Sequence, residues 1–428
     1  MAKKNKVVKP QHEYTRHQLS KMRKAQRRQH FILFGGIGVI VAVVLLIVAG
    51  WVNSEYIPLN KTVLQVNGVK FNTAYYIDSL KLAMASQNAS SISDVSSSLI
   101  STILQDELEK QGAAKFGVTV NDSDVINLLK INNIPVSAAS KDLAIASLLP
   151  DKLKSDYFNT LVPVSDNQVH MKAIMVEDEN VAQTVRDRIL SGDNITALAA
   201  QYAQGYFSQE YKGDFGMHSA AVLRANEIPE VPIDFAFGPD GTIGSVSQPL
   251  TDNTSYKQLG YWLIKVDDRP SDTTANVTAI YCANEPDALS VKARIDAGDN
   301  VADLADQYSQ YTDVGQHGEL GIMNSTNNVS DTFNGYVFNP STKLGEWSSP
   351  LRDTYNWTKG GVWVVQVVDR QDNAKLSDDD RKTLIDKEYN DWASALMSES
   401  ASGYKETLSD SLKAWAIKRA TSELQSSG

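Results

Sequence analysis

The stretch Ala173–Gln204 (AIMVEDENVAQTVRDRILSGDNITALAAQYAQ) returns 106 residues later as Ala279–Gln310 (AIYCANEPDALSVKARIDAGDNVADLADQYSQ), with 15 of 32 positions identical. A repeat of this length means that one structural plan is used twice, so the fold must supply two equivalent bodies. The likeness continues as Gly213-Asp214-Phe215-Gly216 against Gly318-Glu319-Leu320-Gly321, and ends as GYWLIKVDDR (Gly260–Arg269) against GVWVVQVVDR (Gly361–Arg370). The offset shrinks to 105 and then to 101, which places short length changes in the intervening loops, where they are best tolerated.

Each copy reads alike. A short apolar strand, Ala173–Val176 or Ala279–Cys282, leads to an amphipathic helix with Val185 and Ile189, or Val291 and Ile295, one turn apart. Gly192-Asp193-Asn194 and Gly298-Asp299-Asn300 then stop one helix and cap the next. That second helix buries Leu198, Ala199 and Tyr202, or Leu304, Ala305 and Tyr308. An alternating strand ending in Val-x-Asp-Arg closes each copy, so the expected module is α+β, of about 100 residues. The modules are expected at 166–270 and 275–371.

The flanks read as helices. Val63–Phe71 (VLQVNGVKF) sets Asn67-Gly68 between apolar runs, a hairpin signal, and Asn72 or Thr73 caps a helix through about Met84. A second helix carries Ile100, Ile103, Leu104 and Leu108 on one face; another starts near Ser123, and a helical pair is expected over Ser140–Leu161. Near the far end, Ser377 before Asp378, Asp379 and Asp380 starts a helix with Ile385, Tyr389, Trp392 and Leu396 on one face. That helix needs a core, which predicts a discontinuous helical domain from 60–165 and 376–425, with the modules inserted between.

Phe31–Trp51 (FILFGGIGVIVAVVLLIVAGW) is uncharged over 21 residues, enough to cross a bilayer as one helix. Residues 1–30 carry ten Lys/Arg against one acid, a charge of +9; the remaining 31 basic and 50 acidic residues leave −19. The positive-inside bias keeps the basic tail cytoplasmic and exports the body. A cleaved signal peptide is the alternative, disfavoured by the long basic stretch and by bulky Trp51 after Val48-Ala49-Gly50. Basic residues beside a span are topology and lipid attraction, so no nucleic-acid partner is expected. The single cysteine, Cys282, excludes an intrachain disulfide.

Met171–Arg269 resembles a parvulin-type peptidyl-prolyl isomerase domain. The resemblance rests on the AIMV strand, Gly-Asp-Asn, Gln-Tyr, Gly-Asp-Phe-Gly, Pro229-Glu230, Phe235-Ala236-Phe237 and the Gly-Tyr-x-x-Ile-Lys-Val strand. The hairpin, the turn Lys115–Asp122 and the terminal helix are similar to the SurA/PrsA group of extracytoplasmic chaperone-foldases. The resemblance implies an α+β fold: one transmembrane helix, a discontinuous helical SurA-N-like chaperone domain, and two tandem parvulin-like modules, the second degenerate. It implies no metal and no cofactor, and partners that are unfolded or proline-containing exported polypeptides, with membrane lipid met through residues 31–51. Homodimerisation stays open.

Carried over residue by residue, the family's polar cluster is missing. The first-strand histidine falls on Ala173, the Cys/Asp position on Gly205 and the last-strand histidine on Trp262, with Ala279, Tyr311 and Trp363 in the second copy. The expected groove of module one is lined by Phe237, Trp262 and Tyr202, with Val231 and Met217 nearby. His170, His218 and His317 read as loop histidines, and Asp214 and Glu319 as turn or capping residues. Two functions are therefore expected side by side: a foldase with weakened isomerase chemistry, and a non-enzymatic peptide-binding scaffold. No Ser-His-Asp set and no H-E-x-x-H supports a hydrolase.

Overall fold

The computed structural model describes residues 37, 39–86, 92–311, 317–327, 329–399 and 403–427. The basic tail and the first part of the expected anchor lie outside them. A helix long and apolar enough to cross a membrane runs Val39–Asn60. It extends past Trp51 because Val52–Tyr56 and Ile57–Asn60 stay helical through a widened turn.

In chain order the strands are β1 (Thr62–Val66), β2 (Val69–Asn72), β3 (Ser165–Val176), β4 (Asp214–Ser219), β5 (Leu250–Lys257), β6 (Gly260–Ser271), β7 (Thr274–Cys282), β8 (Glu319–Asn324), β9 (Leu351–Asp353), β10 (Thr358–Lys375) and β11 (Tyr404–Glu406). The chain forms two compact units, one of Met1–Ser155 with Asp391–Gly428 and the other of Asp156–Asn390.

In the first unit, Asn67 (φ +46°) and Gly68 (φ +95°) turn β1 into β2 through the left-handed pair that a type I′ hairpin requires. β11 adds on the other side of β1, pairing Leu64 with Glu406. The helices Thr73–Ser86, Ile92–Lys115, Asp122–Ile131 and Ala138–Leu153 follow. The expected pair over Ser140–Leu161 is one helix to Leu153, continued by a π turn. Pro150 lies inside it and does not end it. A further helix, Asp410–Ser427, places Ala416 and Ala420 in the core with Leu64, Tyr76, Leu80 and Leu104. Its Glu423 pairs with Lys81 at 2.9 Å.

The helix Asp378–Glu399 carries the apolar face read from the sequence. Ile385 and Tyr389 pack within the second unit, Tyr389 edge-on to Phe158 at 6.0 Å. Trp392 meets Phe116 within the first, at 5.7 Å.

The second unit holds two four-stranded antiparallel sheets, ordered β4-β3-β10-β5 and β8-β7-β6-β9. The two orders are equivalent, but the strands that complete them are exchanged between the repeats. β10, from the second copy, pairs with β3 of the first, setting Val365 opposite Ala173 and Trp363 opposite Met175. β6, from the first copy, pairs with β7 of the second, setting Trp262 opposite Tyr281. The boundaries 166–270 and 275–371 thus do not delimit self-contained sheets. β6 and β7 are joined by two residues, so pairing them closes a minimal loop. GYWLIKVDDR and GVWVVQVVDR share five of ten residues, the tryptophan among them, and each strand completes the sheet begun by the other copy.

Where the chain crosses between the sheets, side chains tie the two passages together. Lys257 is fully buried and its Nζ donates to the Gly360 carbonyl at 2.5 Å. Burial pushes that amine's pKa down to about 8. The Thr358 hydroxyl donates to the Leu259 carbonyl.

Candidate functional site

Successive residues of β3 point to opposite faces. Met171, Ala173 and Met175 join Phe215, Ile233, Trp363 and Val365 on one face. Ile174 and Val176 join Val185, Ile189 and Leu198 on the other.

A cleft of about 290 Å³ opens on the first face, floored by Met175 and Trp363. Gly205, Tyr206 and Phe207 form one wall, and Glu227 with Pro229 another. Thr254, Ser255 and Tyr256 form the third. Tyr206 and Tyr256 stand on the rim, 53% and 57% exposed. Gly205 is required, since a Cβ there would lie 2.7 Å from the Met175 sulfur. Glu227 takes φ +60° just after the helix Ala220–Ala225, whose end closes with Glu227 N–H on Arg224 O at 2.9 Å.

Asp252 holds this cleft in shape. It is 1% exposed and accepts from the Trp363 indole N–H at 2.9 Å. It also accepts from the Thr254 and Ser255 hydroxyls at 2.7 and 2.6 Å, and from both their backbone N–H groups at 2.7 and 3.0 Å. Burial would raise its carboxyl, but these donors outweigh it and bring the pKa down to about 2. The Thr254 and Ser255 hydroxyls are thereby committed. The cleft offers aromatic and apolar surface with one carboxylate, Glu227, and no acid–base pair.

The second sheet has the same parts in a different state. The Trp262 indole donates to Asp353 at 2.6 Å, repeating Trp363 on Asp252. Its ring lies 4.4 Å from Tyr281, 5.0 Å from Tyr311 and 4.9 Å from Phe333, centroid to centroid. Tyr281 and Tyr311 stand where the first sheet has Met175 and Gly205, and their rings occupy the corresponding space.

These positions revise the expected groove. Trp262 is wholly buried in the second sheet and does not meet Phe237; Trp363 takes the place assigned to it. Tyr202 belongs to the opposite face of the first sheet, where its hydroxyl accepts from Arg188 at 3.3 Å. Phe237 and Val231 pack on the same core as Trp363 without lining the cleft. Met217 sits on the edge strand opposite His170. Ala173 is buried beneath the cleft. Tyr206, Phe207 and Tyr256 were not singled out by the sequence, although Tyr206-Phe207 directly follows the marked Gly205.

The other titratable candidates have structural partners. His170 binds Asp214 at 2.7 Å, and Asp214 also accepts from Lys172 and the Gly216 N–H. Burial opposes ionisation of Asp214, but these bonds hold its pKa below the usual value. His218 pairs with Asp380 at 2.7 Å, and His317 with Asp306 at 2.8 Å.

In sequence the chain is similar to foldases of the parvulin-type isomerase class. The particular proteins it is similar to are PrsA foldases. The foldase protein PrsA of Caldanaerobacter subterraneus subsp. tengcongensis is 25% identical over 219 residues, 47% of this chain and 67% of that protein. Its counterpart in Halalkalibacterium halodurans is 29% identical over 168 residues, 38% of this chain and 45% of that one. The matches thus span from under half to two thirds of these relatives' lengths. No family model matches. Superposition on the crystal structure of PrsA from Bacillus cereus covers 85% of this chain and 99% of that one, at 11% identity and a TM-score of 0.27.

Proposed function

We propose that this protein is a membrane-tethered extracytoplasmic foldase or chaperone that holds unfolded exported polypeptides, with its body outside the membrane and its basic tail in the cytoplasm. In this reading the helical unit is the chaperone frame and the two sheets are parvulin-like bodies. The open cleft over Met175 and Trp363 grips an apolar side chain or proline ring of the client, and the filled second sheet serves as scaffold. The observation that carries the reading is that cleft, rimmed by exposed Tyr206 and Tyr256, in a chain similar to proteins named PrsA foldase.

Rotation about an X–Pro bond faces a barrier of about 18–20 kcal/mol and needs no covalent step. An apolar aromatic site that excludes water favours the twisted amide modestly, but this cleft offers only Glu227 and the rim hydroxyls of Tyr206 and Tyr256 to polarise it. Isomerase turnover is therefore expected far below that of an ordinary parvulin, with client holding intact. A protease-coupled prolyl assay beside an aggregation assay on an unfolded exported protein tests this. Turnover at parvulin level would remove the weakened-chemistry reading. Holding that survives Trp363→Ala together with Tyr206→Ala would support the second reading, a scaffold whose cleft binds nothing, which the absent acid–base pair also favours.

A further inference from the structure

The helical unit contains its own cavity, about 190 Å³, between the helices Thr73–Ser86, Ile92–Lys115 and Ala138–Leu153. Leu82, Ala83, Leu99, Ile103 and Leu143 give it apolar walls. Its polar lining groups are committed elsewhere, with one exception. The Ser79 hydroxyl donates to Tyr75 O at 3.0 Å, Ser98 to Val95 O at 3.3 Å, and Thr102 to Ser98 O at 3.2 Å. The Tyr75 hydroxyl donates to Asp142 at 3.1 Å.

The exception is Asp106, which lines the cavity and makes no hydrogen bond or ion pair among the described residues. The nearby cation, Lys110, is taken by Glu107 at 2.5 Å and Asp142 at 3.2 Å. Around Asp106 stand Glu107, Glu109 and Lys110 from its own helix, with Asp142 and the Tyr75 hydroxyl from the helices packed against it. The balance is negative. An apolar slot bearing an unpaired carboxylate is complementary to a long aliphatic stem with a cation at its tip.

We propose that this cavity is a second client site, taking a lysine side chain of an extended exported polypeptide with its ammonium on Asp106 and its stem against Leu82, Leu99 and Ile103. The site goes beyond the cleft reading and depends on it only for the nature of the client. Burial, followed by repulsion from Glu109 and Asp142, raises the Asp106 carboxyl to about 7. An arriving ammonium removes the repulsion and draws that value down.

The test uses the full chain in detergent micelles and fluorescein-labelled alanine-serine peptides carrying one central lysine, norleucine or arginine. At pH 8 the lysine peptide should bind about tenfold tighter than the norleucine peptide, the size of one charge-assisted hydrogen bond. The preference should shrink as pH falls through 7, and Asp106→Asn should abolish it while leaving norleucine binding within about twofold, since that peptide makes no charged contact. Addition of the lysine peptide should also lower the Asp106 pKa followed by NMR in the unaltered chain. Met175→Trp, which fills the cleft of the other unit, should leave the lysine preference in place. Equal binding of the lysine and norleucine peptides, a stronger arginine peptide, a preference that survives Asp106→Asn or is lost with Met175→Trp, or an unmoved Asp106 pKa would each overturn the proposal.

Discussion

The two sheets of the second unit share strand order, a tryptophan on the completing strand and an aspartate under its indole, yet a cleft opens over one tryptophan and two tyrosine rings lie against the other. Two substitutions account for the difference. Met175 and Gly205 leave space over Trp363, whereas Tyr281 packs tilted and Tyr311 edge-on against Trp262. The space over the tryptophan is thus left by withholding two rings, and taken by adding them.

The largest effect that would test this contrast is on stability. Trp262→Ala removes a wholly buried ring from three aromatic neighbours and takes the indole donor from Asp353, at a cost of about 3–5 kcal/mol in urea unfolding. Trp363→Ala, beside an open cleft, should cost less; equal losses would break the comparison. Met175→Tyr copies the second sheet into the first. It should weaken prolyl-peptide binding about tenfold by fluorescence polarisation while changing stability by less than about 1.5 kcal/mol. The smallest effect concerns acid. Asp252 titrates at about 2 against an ordinary 3.8, so its contribution is complete above pH 3.8 and is lost as pH falls through 2. Asp252→Asn should flatten that part of the pH–stability curve, and an unchanged acid limb would mean that the aspartate does not hold the cleft.

Much of the fold was legible in the sequence. The Asn67-Gly68 turn, the helices capped by Asn194 and Asn300 and the apolar face of Asp378–Glu399 follow from local rules. The helix Asp410–Ser427 and the edge strand Tyr404–Glu406 were missed, because a three-residue strand carries almost no periodicity. The strand exchange was invisible for a different reason. β6 and β10 share a tryptophan and the same apolar character over their matched segments, so no pattern within them states which sheet they enter, and assigning each to its nearest repeat put Trp262 in the wrong cleft. Tyr206 and Tyr256 became visible only once a short helix and a strand distant in sequence met over the sheet.

The exchange also sets a timetable. β5 ends at Lys257 and the strand that lies against it begins at Thr358, 101 positions later. A chain that emerges N-terminus first exposes β3, β4 and β5 long before β10 arrives, while the look-alike β6 follows after only two residues. Until β10 arrives, the pairing edges of β3 and β5 lack their partner, whereas β6 finds its own in β7 two residues on. Slow, long-range pairing of this kind makes late folding sensitive to how fast the last third of the chain is delivered.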